Sequence, residues 1–200
     1  MPLTVTSDIS IHEAGHVILV YLMSDFLELY HVTIDEEFSK KNDIHSEGGV
    51  LYKYLTHPKN LQIPQLDQLC LFNLAGLAAD LVNEHEGAVE QKYFGTHDFL
   101  SKIGHFHYQG DIIAYNHSFN RLIRSLQVSP QYYNAISIYF LTDFFSRKEV
   151  LPILLAIKDL IDQSKTVYAI ELNNFLDQSY IGTYKTTTWP KVKDDRQNLF

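Results

Sequence analysis

His12-Glu13-Ala14-Gly15-His16 is the stretch that decides the fold. It spells H-E-x-x-H and continues into the apolar residues 17–22, so we predict one helix over about residues 8–29. On a helix, residues four apart leave the same face about 6 Å apart along the axis. The imidazoles of His12 and His16 can therefore reach one metal ion, at the distance of about 2.0–2.1 Å that is typical of zinc.

Glu13 lies about 100° around the predicted helix from His12, which places its carboxylate poorly for an equal ligand. It can instead accept a proton from a water molecule on the open side of the metal. Gly15 costs about 1 kcal/mol relative to Ala inside a helix, and close approach of another segment beside the metal would explain it. The alternative is a helix with two exposed or capped histidines, and the apolar residues 17–22 count against it.

Composition predicts one soluble domain, because 46 % of the 200 residues are hydrophobic and 20 % are charged. The net charge of −8 argues against nucleic acid or an anionic membrane as the main partner, since both require a basic surface. No signal peptide is visible, and the apolar run after the motif is far shorter than the roughly 20 residues that cross a bilayer. We therefore expect a cytoplasmic protein. The single Cys70 excludes an intramolecular disulfide and is expected in the core.

Two alternating runs predict strands that pair as a small antiparallel hairpin, at 31–35 and from Gly48-Gly49 through Tyr54. An exposed edge of this hairpin could bind a peptide as an additional strand, or the hairpin could only cover the core. Five further helices are expected at 64–83, 112–126, 130–145, 149–164 and, after a cap at Thr166, to about 176. Residues 180–200 are polar and are expected to be extended or disordered unless Trp189 docks.

A zinc ion held by two imidazoles needs a third protein ligand, which is commonly a carboxylate. Asp80 is a candidate because it lies on a helix that is predicted to be buried. Glu84 lies on the same helix, and one class of zinc peptidases uses a glutamate as its third ligand. Asp111 stands at a predicted helix start, where the helix dipole alone would also favour an acidic residue. The residues alone leave the third ligand open among these three carboxylates and the less regular middle stretch, with its Asp98, His85, His97, His105 and His107.

Four motifs resemble, in order, those of the peptidase domain of the FtsH-type ATP-dependent zinc metalloproteases. Residues 12–16 match its H-E-A-G-H, and Val32-Thr33-Ile34 matches its V-T-I strand. Residues 74–80 resemble its L-A-G-x-A-A-E helix with Asp for Glu, and Asp111-Ile112 is similar to the D-L that carries its third zinc ligand. With weaker similarity in the last two helices, the resemblance spans about residues 8–178.

This resemblance implies a mainly α, single zincin-like domain of about six helices with a small antiparallel β-hairpin. The domain would cover residues 1–178, followed by a polar C-terminal tail over 179–200. Zinc would be held by His12, His16 and Asp111.

The same resemblance implies that Glu13 is the general base of a peptidase that acts on peptides or unfolded proteins. It gives Asp80 a supporting role, orienting one of the two histidines. The competing hypothesis is a catalytically inactive FtsH-like scaffold that binds partners or regulates. The altered loop before Asp111 and the lack of the family's ATPase module in this sequence favour that alternative. The sequence leaves a homo-oligomer open.

Overall fold

The computed structural model describes residues 8–35, 37–38, 49–85 and 109–200. Within these ranges the chain is mainly helical with one small antiparallel sheet, which confirms the predicted fold class. No helix in the described ranges is both long enough and apolar enough to cross a membrane. The strands are β1 (Leu27–Thr33), β2 (Gly49–Tyr54) and β3 (Thr166–Tyr168). The α-helices are α1 (Ile9–Leu22), α2 (Ile63–Glu84), α3 (Gln109–Leu122), α4 (Pro130–Ser146), α5 (Leu151–Ser164), α6 (Ala169–Asp177), α7 (Tyr180–Thr187) and α8 (Trp189–Gln197).

Helix α1 begins after Asp8, whose side chain caps it by accepting a hydrogen bond of 3.2 Å from the backbone N–H of Ser10. The helix ends at Leu22, so the prediction that it runs to about residue 29 is wrong. Residues 27–30 belong instead to β1, where buried and exposed side chains alternate. This two-residue period is that of a half-buried strand, and pairing with β2 overrides the continued helix.

The predicted antiparallel hairpin is confirmed, and Val32 of β1 pairs with Val50 of β2. A third strand, β3, pairs antiparallel with the other side of β1, so the sheet order is β2-β1-β3 and β2 is an edge strand. Thr166 does not cap a helix as predicted. It lies in β3 opposite Thr33, and the two hydroxyl oxygens are 2.7 Å apart. The following helix begins only at Ala169.

Helices α1 and α2 form the centre of the core, and both are buried along nearly their whole length. They pack closely because Gly15 has no side chain. A Cβ at Gly15 would lie 2.7 Å from the carbonyl oxygen of Ala75 and 2.9 Å from the Cβ of Ala79. The expectation that another segment approaches this glycine is therefore confirmed, and that segment is α2.

Residues 180–197 form two helices, α7 and α8, and the expected extended conformation does not occur because the side chain of Trp189 is buried. The guanidinium of Arg196 donates two hydrogen bonds of 2.6 Å to the carboxylate of Asp67 on α2. Tyr133 also donates to this carboxylate, at 2.6 Å. A buried ion pair thus attaches the end of the chain to the helix beside α1.

Candidate metal centre

The structure brings His12, His16 and Asp111 together, the three residues that the family resemblance implies. The two histidines lie one turn apart on α1, and Asp111 lies in the first turn of α3. The Oδ2 atom of Asp111 is 2.8 Å from the Nε2 of His12 and 3.1 Å from the Nε2 of His16. The two Nε2 atoms are 3.2 Å apart. Ligand atoms of a tetrahedral zinc would be separated by about 3.3 Å, so the three side chains could hold one metal ion.

The far side of each imidazole ring is held in the way that a metal ligand requires. The Nδ1 atom of His16 lies 2.9 Å from the backbone carbonyl oxygen of Phe72. A carbonyl oxygen only accepts, so Nδ1 carries a hydrogen, and the Nε2 atom on the other side of the ring faces Asp111. The Nδ1 atom of His12 lies 2.9 Å from the Oδ2 of Asp80, which orients that ring in the same way. Such contacts fix the tautomer of metal-binding histidines.

Helix α2 supplies both of these contacts from one face, since Phe72, Gly76 and Asp80 recur every four residues. Gly76 lies directly beneath the ring of His12. A Cβ at this position would lie 2.6 Å from the Cδ2 of His12 and nearer still to its Nε2 and Cε1. The roles of Phe72 and Gly76 are not evident from the sequence. The small residues of α2 predict close packing, but they do not show that an imidazole is the neighbour.

The carboxylates around His12 change its protonation in the metal-free protein. Burial alone would lower the pKa of His12, but hydrogen bonds to Asp111 and Asp80 and the charge of Glu13 raise it to about 10. Burial would raise the pKa of Asp111, yet the two histidines hold it well below its usual range. His12 and Asp111 are therefore an imidazolium–carboxylate pair at neutral pH, and a metal ion must displace the proton from Nε2 of His12.

Glu13 is buried beside the ligands without being one of them. Its side chain is 7 % exposed, and it is absent from the group of described residues that could hold a metal. Burial raises the pKa of its carboxyl group, although His16 and His12 pull it in the opposite direction. A carboxylate with a raised pKa is a stronger base than an ordinary glutamate.

The other candidate ligands are not in the centre formed by the described residues. Asp80 contacts the outer nitrogen of His12 and does not join the ligand group. Glu84 is exposed near the end of α2. Asp98, His97, His105 and His107 lie outside the described residues. By contrast, 27 % of the Asp111 side chain is exposed, so one side of the centre is accessible.

No protein-family model and no curated protein matches the chain. The assignment of the centre therefore depends on its geometry and its donor atoms.

Proposed function

We propose that the chain is a zinc-dependent endopeptidase. The observation that carries this proposal is the convergence of two imidazole nitrogens and one carboxylate oxygen within 3.2 Å of one another, beside a buried glutamate. Catalytic zinc sites commonly combine three such ligands with an open position. The accessible side of Asp111 supports an open position here.

His12, His16 and Asp111 would hold the metal ion, and Asp80 and the carbonyl of Phe72 would orient the two imidazoles. A bound zinc ion would supply Lewis-acid chemistry, lowering the pKa of a water molecule towards 7 and polarising the substrate carbonyl. These residues differ from Glu13 in that their task is to bind and orient.

Glu13 would move the proton. Its carboxylate accepts a proton from the attacking water while the water oxygen forms a bond to the carbonyl carbon. Glu13 then donates this proton to the amide nitrogen, the C–N bond breaks, and an amine and a carboxylic acid leave.

Peptides and unfolded segments are the substrate class that we propose. Strand β2 is an edge strand of the described sheet, and its inward-facing Tyr52 packs on Phe72, the residue that orients His16. An extended chain could add to this edge by backbone hydrogen bonds and so lie near the centre. In a folded protein most backbone N–H and C=O groups are already paired, whereas an unfolded segment has them free for such pairing.

Metal content and cleavage of an unstructured fluorogenic peptide library test the proposal. We expect about one zinc per chain, and none after His12→Ala or His16→Ala. Glu13→Gln should retain zinc and lower the cleavage rate about 10²–10⁴-fold, because an amide does not accept the proton. Glu28→Gln, at a half-exposed glutamate of β1, is the matched control and should change neither quantity.

The competing scaffold makes different predictions. A full complement of zinc without any cleavage would contradict the peptidase and favour a scaffold with a structural metal. Iron(II) as the native metal would also contradict it, since iron oxygenases use the same set of two histidines and one carboxylate.

A further inference from the structure

We propose that the phenol of Tyr52 donates the hydrogen bond that stabilises the substrate carbonyl oxygen as negative charge develops on it. This inference rests on the proposed peptidase function. It requires no bond to Tyr52 and no transfer of its proton. The O–H group acts only as a donor while water adds to the carbonyl carbon.

Such a donor would add to the polarisation that a bound zinc ion supplies, and the residues of the metal centre are already assigned to other tasks. The Nε2 atoms of His12 and His16 face the metal position. Glu13 can only accept until it has taken a proton. A donor aimed at a developing oxyanion is worth about 10²–10³ in kcat.

The strand places Tyr52 on the correct face. Leu51 and Lys53 point to solvent, whereas Tyr52 between them is partly buried and packs against the hydrophobic core. In the β1–β2 register, Tyr52 lies opposite Leu29, whose side chain is also buried. The edge strand therefore directs this phenol inward, towards α1 and α2.

Two ring contacts connect Tyr52 to the centre. The Tyr52 ring packs edge-on against Phe72, with centroids 5.0 Å apart and an angle of 77° between the planes. Phe72 in turn packs on the ring of His16, with centroids 4.9 Å apart, and its carbonyl accepts the Nδ1 hydrogen of that histidine. The Tyr52 and His16 rings both contact Phe72, so their centroids lie within about 10 Å of each other.

Electrostatics agree with this placement. Burial raises the pKa of Tyr52 well above its usual range, and the charge of Tyr54, a hydrogen bond with Tyr54 and the negative charge of Asp111 raise it further. The phenol therefore stays protonated at neutral pH. Its single hydrogen can be donated to the substrate oxygen in place of Tyr54.

Tyr52→Phe separates a donor from a packing residue, because the ring that contacts Phe72 remains. For the zinc-loaded variant we expect kcat to fall about 10²–10³-fold, with KM changed less than about threefold. A phosphinic peptide, whose tetrahedral oxygens resemble the transition state, should bind more weakly by a similar factor in calorimetry. Zinc content and melting temperature should stay unchanged.

Tyr54→Phe is the matched control, since Tyr54 lies on the same strand and face with its ring centroid 5.6 Å from that of Tyr52. The fold-decrease of kcat in Tyr54→Phe should be less than about a tenth of that in Tyr52→Phe. An active wild-type protein whose kcat and phosphinic-peptide affinity survive Tyr52→Phe would overturn this inference alone. An equal loss in Tyr54→Phe would overturn the assignment to Tyr52. A zinc-loaded wild-type protein without cleavage would overturn the peptidase function together with this inference.

Discussion

Gly76→Ala should lower zinc affinity at least about 100-fold while the fold remains. The added Cβ would lie 2.6 Å from the Cδ2 of His12 and nearer still to two other ring atoms. Carbon atoms in contact are normally about 3.5–4.0 Å apart, so the ring would have to move by about 1 Å or more. The two helices cannot simply move apart, because this would break the close packing of α1 against α2 at Gly15 and Ala75.

Such a shift is large compared with the tolerance of a zinc–nitrogen bond, for which distances agree within about 0.2 Å. It would also break the hydrogen bond of 2.9 Å between His12 and Asp80. Disturbing these orienting contacts alone typically costs 10–100-fold in metal affinity, and we expect at least about 100-fold here. Overpacking costs about 1–3 kcal/mol, and replacing a helical glycine by alanine returns about 1 kcal/mol. The net loss of stability should therefore be below about 2 kcal/mol.

Zinc affinity can be measured by competition with a chromophoric chelator, and stability by urea unfolding of the metal-free protein. Gly110→Ala is the control, because a Cβ at Gly110, adjacent to Asp111, would meet no atom of the described residues within 4 Å. It should leave zinc affinity unchanged. If Gly76→Ala binds zinc as tightly as the wild-type protein, the His12 ring does not lie over Gly76 and the proposed arrangement of the centre is wrong.

Three further predictions concern the ligands and the end of the chain. Asp111→Ala should lower zinc affinity steeply at near-normal helix content by circular dichroism, whereas Glu84→Ala should not; the reverse result would move the third ligand to α2. Zinc binding between pH 7 and 9 should release one proton from His12, whose pKa is about 10 in the metal-free protein. Affinity should therefore rise at least about tenfold per pH unit, and calorimetry in buffers of different ionisation enthalpy would count the protons that are released. Arg196→Met should destabilise the protein by about 3–5 kcal/mol in urea, because Asp67 keeps a buried charge, and adding Asp67→Leu should recover most of this loss.

The two histidines of the candidate centre could be predicted because a single helical turn places both imidazoles, without any contact distant in sequence. The third proposed ligand could not be predicted in this way. Residues alone left Asp80, Glu84 and Asp111 open, and only the resemblance to a known family favoured Asp111. The structure separates them because Asp80 binds the outer nitrogen of His12 while Asp111 faces the inner one.

The failed expectations share a physical cause, which is tertiary contact that local sequence does not encode. Residues 27–30 follow an apolar helix, and their period of two becomes decisive only when β2 pairs with them. The C-terminal residues are polar, yet Trp189 docks and Arg196 finds a carboxylate 129 positions earlier in the chain. Composition records the charge of that arginine but not its partner.

Helix α2 explains why metal binding and packing should be coupled in this protein. One face of this helix provides the carbonyl of Phe72 for His16, the open space of Gly76 for the His12 ring, and the carboxylate of Asp80 for its outer nitrogen.

A purely structural zinc site usually has four protein ligands and is closed. The described residues place three ligand atoms together and leave Asp111 partly exposed, with a buried glutamate beside them. In the proposed peptidase the general base has to lie near the reacting water, and Glu13 has a position that meets this requirement.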